Sequence, residues 1–165
     1  MVRKTAAYGM LVALAFLLSY VETLIPFSFG VPGIKLGLAN LVVLLAFYTL
    51  GERAAFAISL VRILLVGLTF TSLSVMLYSL AGGLLSYFCM WIGKRCTGLS
   101  MTGISVLGGV THNLGQILLA AFVLKTRAIL YYFPVLLLAG TAAGLVIGLL
   151  GGLVLKRILP AVKNI

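Results

Sequence analysis

An all-α bundle of six transmembrane helices follows from three features of the chain. Apolar residues make up 63% of it and charged residues only 8%, against roughly one-quarter charged in soluble domains. The apolar residues fall into runs near the length of about 20 residues that a helix needs to cross a bilayer core of roughly 30 Å. The basic residues, which give a net charge of +10, stand mostly at the ends of those runs, where membrane proteins use them to set orientation. Lipid is therefore the solvent for most of the surface. A soluble chain of this charge would point to nucleic acid, but no basic stripe with interleaved aromatics exists, which excludes that partner. By length the 165 residues form one domain.

The spans predicted from hydropathy run over 5–24, 34–50, 54–71, 73–93, 102–124 and 129–155. The first follows Arg3 and Lys4 and imitates a signal peptide. It is too long for a typical apolar signal core and lacks a cleavage site, so it reads as a retained span. With the N-terminus inside, the inner loops and ends collect eight basic residues, among them Arg53, Lys94, Arg95, Lys156 and Arg157, and the outer side three, Lys35, Lys125 and Arg127. This bias places both termini in the cytoplasm of a cell whose membrane the chain crosses repeatedly. Tyr131, Tyr132 and Phe133 then form an outer aromatic belt, and Tyr87, Phe88 and Trp91 an inner one. Cys89 and Cys96 fall on the inner, reducing side and form neither a disulfide nor a zinc site.

Rows of small residues mark close helix packing. Thr5, Gly9 and Ala13 form one on the first span, and Gly140, Gly144, Gly148 and Gly152 a stronger one on the last. The last row suits packing within the bundle. The first suits either internal packing or docking of a partner subunit. Between the first two spans, residues 25–35 carry two prolines and two glycines, which break the helix. Phe27 and Phe29 make this loop either a lid or an interfacial turn.

Polar residues inside apolar runs carry the functional signal. Arg62 lies in mid-span, where a charge costs about 2.5–3.5 kcal/mol on insertion scales and needs a partner or a wet cavity. It either contacts a ligand or pairs with Glu22, one of the two acids in the chain. His112, Asn113 and Gln116 share one helix face, within about 100° of one another. Gly108 and Gly109 just before them leave room for a helix or ligand. Lys35 and Asn40 enter from the start of the second span. Together Lys35, Asn40, Arg62, His112, Asn113 and Gln116 are candidates to line a site for an anion, since a guanidinium suits carboxylate or phosphate.

Several chemistries are excluded. Phe88 stands where the first glycine of a phosphate-binding loop before Gly93-Lys94 would be. The chain contains no aspartate, so no Asp-rich magnesium site for diphosphates can be built. Glu22 and Glu52 fall at opposite sides of the membrane and cannot act as a catalytic carboxylate pair. No cofactor or metal is implied.

Residues 32–40 (Pro-Gly-Ile-Lys-Leu-Gly-Leu-Ala-Asn), Gly51-Glu52-Arg53-Ala54-Ala55 and Leu60-Val61-Arg62 are similar to a family of small six-helix bacterial membrane proteins. Residues 79–86 and 108–116 continue the likeness, which spans residues 30 to about 150. That family is called both Gx transporter and heptaprenyl diphosphate synthase component I. The same region more distantly resembles the substrate-binding S components of energy-coupling factor vitamin transporters. Gly37 and Asn40 stand where those proteins often carry aspartates, and Gly9 and Ala13 where they carry small residues that dock a transmembrane coupling protein. The resemblance implies a substrate-binding subunit for uptake of a small anionic or vitamin-like solute, energised through a coupling protein by cytoplasmic ATPases. The synthase label implies instead a membrane accessory subunit beside a separate catalytic one.

Overall fold

A computed structural model describes residues 2–24 and 37–162. Six α-helices and one short 3-10 turn account for nearly all of them: α1 (Val2–Leu24), α2 (Leu38–Thr49), α3 (Glu52–Thr69), α4 (Leu73–Cys96), α5 (Met101–Leu124) and α6 (Phe133–Val162). The fold is the expected helical bundle. Four stretches are long and apolar enough to cross a membrane: Thr5–Leu24, Leu73–Cys96, Met101–Leu124 and Ala128–Ile158. The other two helices differ from those four for separate physical reasons. α3 carries Glu52, Arg53 and Arg62. α2 has 12 residues, a length of about 18 Å.

The shortness of α2 makes sense once its surroundings are seen. Six consecutive residues, Val42–Phe47, are buried, and Phe47 and Ala46 have no exposed surface. A helix that is apolar on every side belongs inside protein rather than against lipid. α2 is thus a buried helix packed among α1, α3 and α6. Its neighbours divide into two halves: α1 and α3 pack on it from one side, while α4, α5 and α6 form the more extensive contact among themselves. The halves meet where α3 touches α4 and where α2 touches α6.

The row on the last span packs internally. A methyl group on Gly144 would lie 2.6 Å from the Val106 Cα, one on Gly148 2.6 Å from the Thr102 Cα, and one on Gly140 2.8 Å from the Gly109 carbonyl oxygen. Backbone meets backbone along this seam, so α5 and α6 lock together. Gly152 takes no part, with open space around it. The row on α1 behaves differently: Gly9 and Ala13 are exposed and nothing lies within 4 Å of a methyl group placed on Gly9. α1 uses Ala15 and Ser19 to face its neighbours instead.

The connections follow local chemistry. Ser72 and Ser100 cap α4 and α5 by accepting hydrogen bonds from Val75 N (3.3 Å) and Gly103 N (3.2 Å). Tyr131 and Tyr132 precede α6 in the 3-10 turn Ala128–Tyr132 and are exposed. Gly51 joins α2 to α3 at φ 94 and ψ 171, a conformation that costs other residues about 1–3 kcal/mol. Gly51→Ala is expected to lower the thermal midpoint in detergent by that order, although space for the methyl is open. An unchanged midpoint would contradict the assigned turn geometry.

Glu52, directly after that turn, ties α3 to the end of α4. Its Oε2 accepts from Trp91 Nε1 at 2.8 Å and from Arg95 Nη2 at 3.0 Å. Its backbone oxygen accepts from the Tyr87 hydroxyl at 3.0 Å. Lys94 lies 4.0 Å from Oε1 and donates to the Phe47 carbonyl at 3.3 Å, with its ammonium 4.6 Å from the Phe47 ring centroid. Trp91 and Tyr87 thus clamp α4 to the start of α3. Desolvation alone would raise the Glu52 carboxyl, but the hydrogen bonds from Arg95 and Trp91 and the charges of Arg95 and Lys94 outweigh it. The group titrates below its ordinary value of 4.5. Because the unfolded chain then holds the proton more tightly, the clamp contributes fully above about pH 4.5 and is lost as pH falls through the lower folded value. In acid titrations followed by circular dichroism, Glu52→Gln is expected to flatten the loss of stability below that pH. An unaltered slope would remove Glu52 as its source.

Candidate functional site

A cavity of ≈ 120 Å³ lies between the two halves of the bundle. Its walls come from α1, α2, α3, α4, α5 and α6, so no single helix defines it. It is elongated. The α4 wall runs from Val75 and Met76 through Ser79, Gly83 and Ser86 to Met90, about 22 Å along the helix. The α5 wall runs from Ser105 through Gly108 and Gly109 to His112, Asn113 and Gln116. Glycines on both walls let their neighbours pack closely: a methyl group on Gly83 would lie 2.7 Å from the Ile63 Cδ1 and one on Gly108 2.6 Å from the Met90 Sδ.

Of the residues expected to line a site, five meet here: Asn40, Arg62, His112, Asn113 and Gln116. Lys35 lies outside the described residues. Gly9 and Ala13 are remote from the cavity, on the outer face of α1.

Arg62 is held by neighbours rather than by an acid. Its Nη2 donates to Asn40 Oδ1 at 3.2 Å and its Nη1 to Ser19 Oγ at 3.4 Å. Ser19 in turn donates to the Ala15 carbonyl at 2.9 Å. Glu22 also lines the cavity, but its Oε1 accepts from Leu38 N at 2.7 Å, fastening the start of α2. Among the described residues both ion pairs belong to Glu52. The direct Arg62–Glu22 pair considered from the sequence is therefore replaced by two neutral acceptors, Asn40 and Ser19. Meanwhile Arg62 Nε is buried with no hydrogen-bond partner. Leaving such a donor unmet costs about 1–3 kcal/mol, more for a charged group.

The opposite wall is partly committed. Asn113 donates from Nδ2 to the Leu136 carbonyl at 2.7 Å, which fixes α5 against α6. Gln116 makes no hydrogen bond among the described residues, so its amide is available to the cavity.

Serines are the feature that sequence reasoning missed. A hydroxyl in an apolar helix normally returns to a carbonyl one turn back. Ser19, Thr49, Thr69, Thr97, Thr111 and Thr141 all do so. Ser59, Ser79, Ser86 and Ser105 do not, and all four line the cavity. Their free hydroxyls identify a space suited to water or a polar guest rather than lipid. The signal was present as Ser79, Gly83 and Ser86 on one helix face.

Among the described residues no group of three or more His, Cys, Asp or Glu side chains could hold a metal. The chemistry available is hydrogen bonding and charge recognition by Arg62, Glu22, the amides and the hydroxyls.

Comparison with known proteins adds one finding. The family model described as heptaprenyl diphosphate synthase component I matches residues 11–154. No curated protein matches. No solved structure matches, so the more distant likeness to S components rests on the motif residues alone. With a match over most of its length, the chain belongs to the heptaprenyl diphosphate synthase component I family.

Proposed function

We propose that the chain is the membrane-embedded, non-catalytic component of a two-part prenyl diphosphate synthase. The family match over residues 11–154 carries this reading. The composition supports the division of labour: with no aspartate in the chain, an Asp-rich magnesium site must come from a partner. As one six-helix unit in the cell membrane, with both ends in the cytoplasm by its basic bias, it would anchor that partner where long apolar products enter lipid. Affinity purification from membranes is expected to recover a soluble synthase subunit, and separating the two should abolish prenyl transfer. Full prenyl transfer by the soluble subunit alone would refute the reading.

The cavity favours a second reading, in which the chain binds a small solute for uptake with help from partner subunits. The carrying observation is Arg62 Nε, buried without a partner, in a cavity whose walls also carry Ser59, Ser79, Ser86 and Ser105. On this reading Asn40, Arg62, His112, Asn113 and Gln116 contact the ligand. Lys35 adds charge from the preceding loop, and the exposed Gly9–Ala13 row of α1 is the place for a coupling protein to dock. Solute uptake in cells carrying the chain, lost with Arg62→Met, is the expected result. Equal uptake without the chain would exclude it.

A further inference from the structure

We infer that the cavity between the two halves receives a compact zwitterion, with its carboxylate on Arg62 and its ammonium on Glu22, as an α-amino acid would present them. The inference rests on the solute-binding reading above and names its ligand class.

Charge balance is the first ground. Among the described residues the cavity walls carry one arginine and one glutamate, with His112 as a further titratable side chain. A simple anion drawn to Arg62 would also meet the field of Glu22, and a diphosphate, with several negative charges, would meet it more strongly. A zwitterion satisfies both.

The second ground is that the two charges make no direct contact with each other. Opposite charges in a poorly hydrated space attract strongly, and direct contact is the simplest outcome. Here Arg62 is turned toward Asn40 and Ser19, and Glu22 toward the Leu38 N–H. Each keeps capacity in reserve: Arg62 Nε has no partner, and no hydrogen bond reaches Glu22 Oε2 among the described residues. An α-amino acid, with its carboxylate and ammonium joined through one carbon, offers each of them a charge-assisted bond of about 2.8 Å.

Size is the third. A cavity of ≈ 120 Å³ compares with the roughly 150 Å³ cavity that accepts benzene. A small amino acid fits that scale. A heptaprenyl chain does not. The hydroxyls of Ser79 and Ser86 on the α4 wall offer partners to a polar side chain.

The test uses the full chain in detergent micelles, with thermal unfolding followed through Trp91 fluorescence. The probes are the standard α-amino acids, each alone at millimolar concentration, with acetate, inorganic phosphate and pyrophosphate beside them. At least one amino acid should raise the midpoint by several degrees, while its N-acetyl and carboxamide derivatives do not. Glu22→Gln, which retains an acceptor for Leu38 N, should lose at least tenfold in apparent affinity for that amino acid. It should also cease to distinguish it from the N-acetyl form. If acetate or phosphate stabilises as well as any amino acid, or if Glu22→Gln strengthens the response, the zwitterion is wrong while solute binding stands. If no probe of any class shifts the midpoint, both fail.

Discussion

Replacing Arg62 with methionine is expected to abolish ligand-dependent stabilisation while leaving the unliganded protein as stable as before or slightly more so. The two halves of this expectation come from the same geometry. A buried charge without an acid in contact is a poor contributor to stability, and exchange for an apolar side chain of similar volume is often neutral or favourable. Arg62 has only neutral acceptors, Asn40 and Ser19, and an unmet Nε. For a ligand the arithmetic reverses. Truncating one partner of a buried, hydrogen-bonded charge pair costs about 2–5 kcal/mol, on the order of thirtyfold or more in affinity. Arg62→Lys should recover little, because an ammonium cannot reproduce the planar fork that holds Asn40 and Ser19 at once. Thermal melts of the three proteins, with and without ligand, separate these effects. A large loss of unliganded stability in Arg62→Met would mean that the arginine is there to hold the helices.

Gly144→Val is the second substitution of large expected effect, through packing alone. A single methyl at this position already lies 2.6 Å from the Val106 Cα and 2.9 Å from the Ser105 carbonyl oxygen. Backbone atoms cannot swing aside as a side chain can, so α5 and α6 must separate. Overpacking costs about 1–3 kcal/mol and sometimes more. Since Gly144 also lines the cavity, ligand binding should fall with stability. Gly152→Val, in the same row but with open space around it, should change neither. Equal tolerance of both substitutions would show that the α5–α6 seam is looser than described.

The sequence disclosed the bundle because lipid imposes a simple rule: apolar runs of spanning length bounded by charge become helices. The same rule does not set α2 apart from the helices that face lipid. An apolar run inside protein and one facing lipid look alike in composition, and only the burial of Val42–Phe47 distinguishes them. Within the site, Arg62, Asn40, His112, Asn113 and Gln116 were legible because each is costly in an apolar helix. The serines were not, since a hydroxyl that returns to its own backbone is cheap and carries no message. Knowing that Ser59, Ser79, Ser86 and Ser105 decline that option requires the neighbouring helices. The clamp on Glu52 was hidden for a related reason. Arg95 and Trp91 lie far from it in sequence and meet it only after α3 and α4 pair.

The central claim, a hydrated cavity between the two halves that admits a charged guest, is tested most directly by cysteine labelling. In a background with Cys89 and Cys96 replaced by alanine, cysteine is placed at Ser86 on the cavity wall and at Leu84 on the exposed face of α4. A small charged thiol reagent in water should modify Ser86→Cys, more slowly when a stabilising ligand is present, and should spare Leu84→Cys in lipid. An inert Ser86→Cys, or labelling indifferent to any ligand, would contradict the claim.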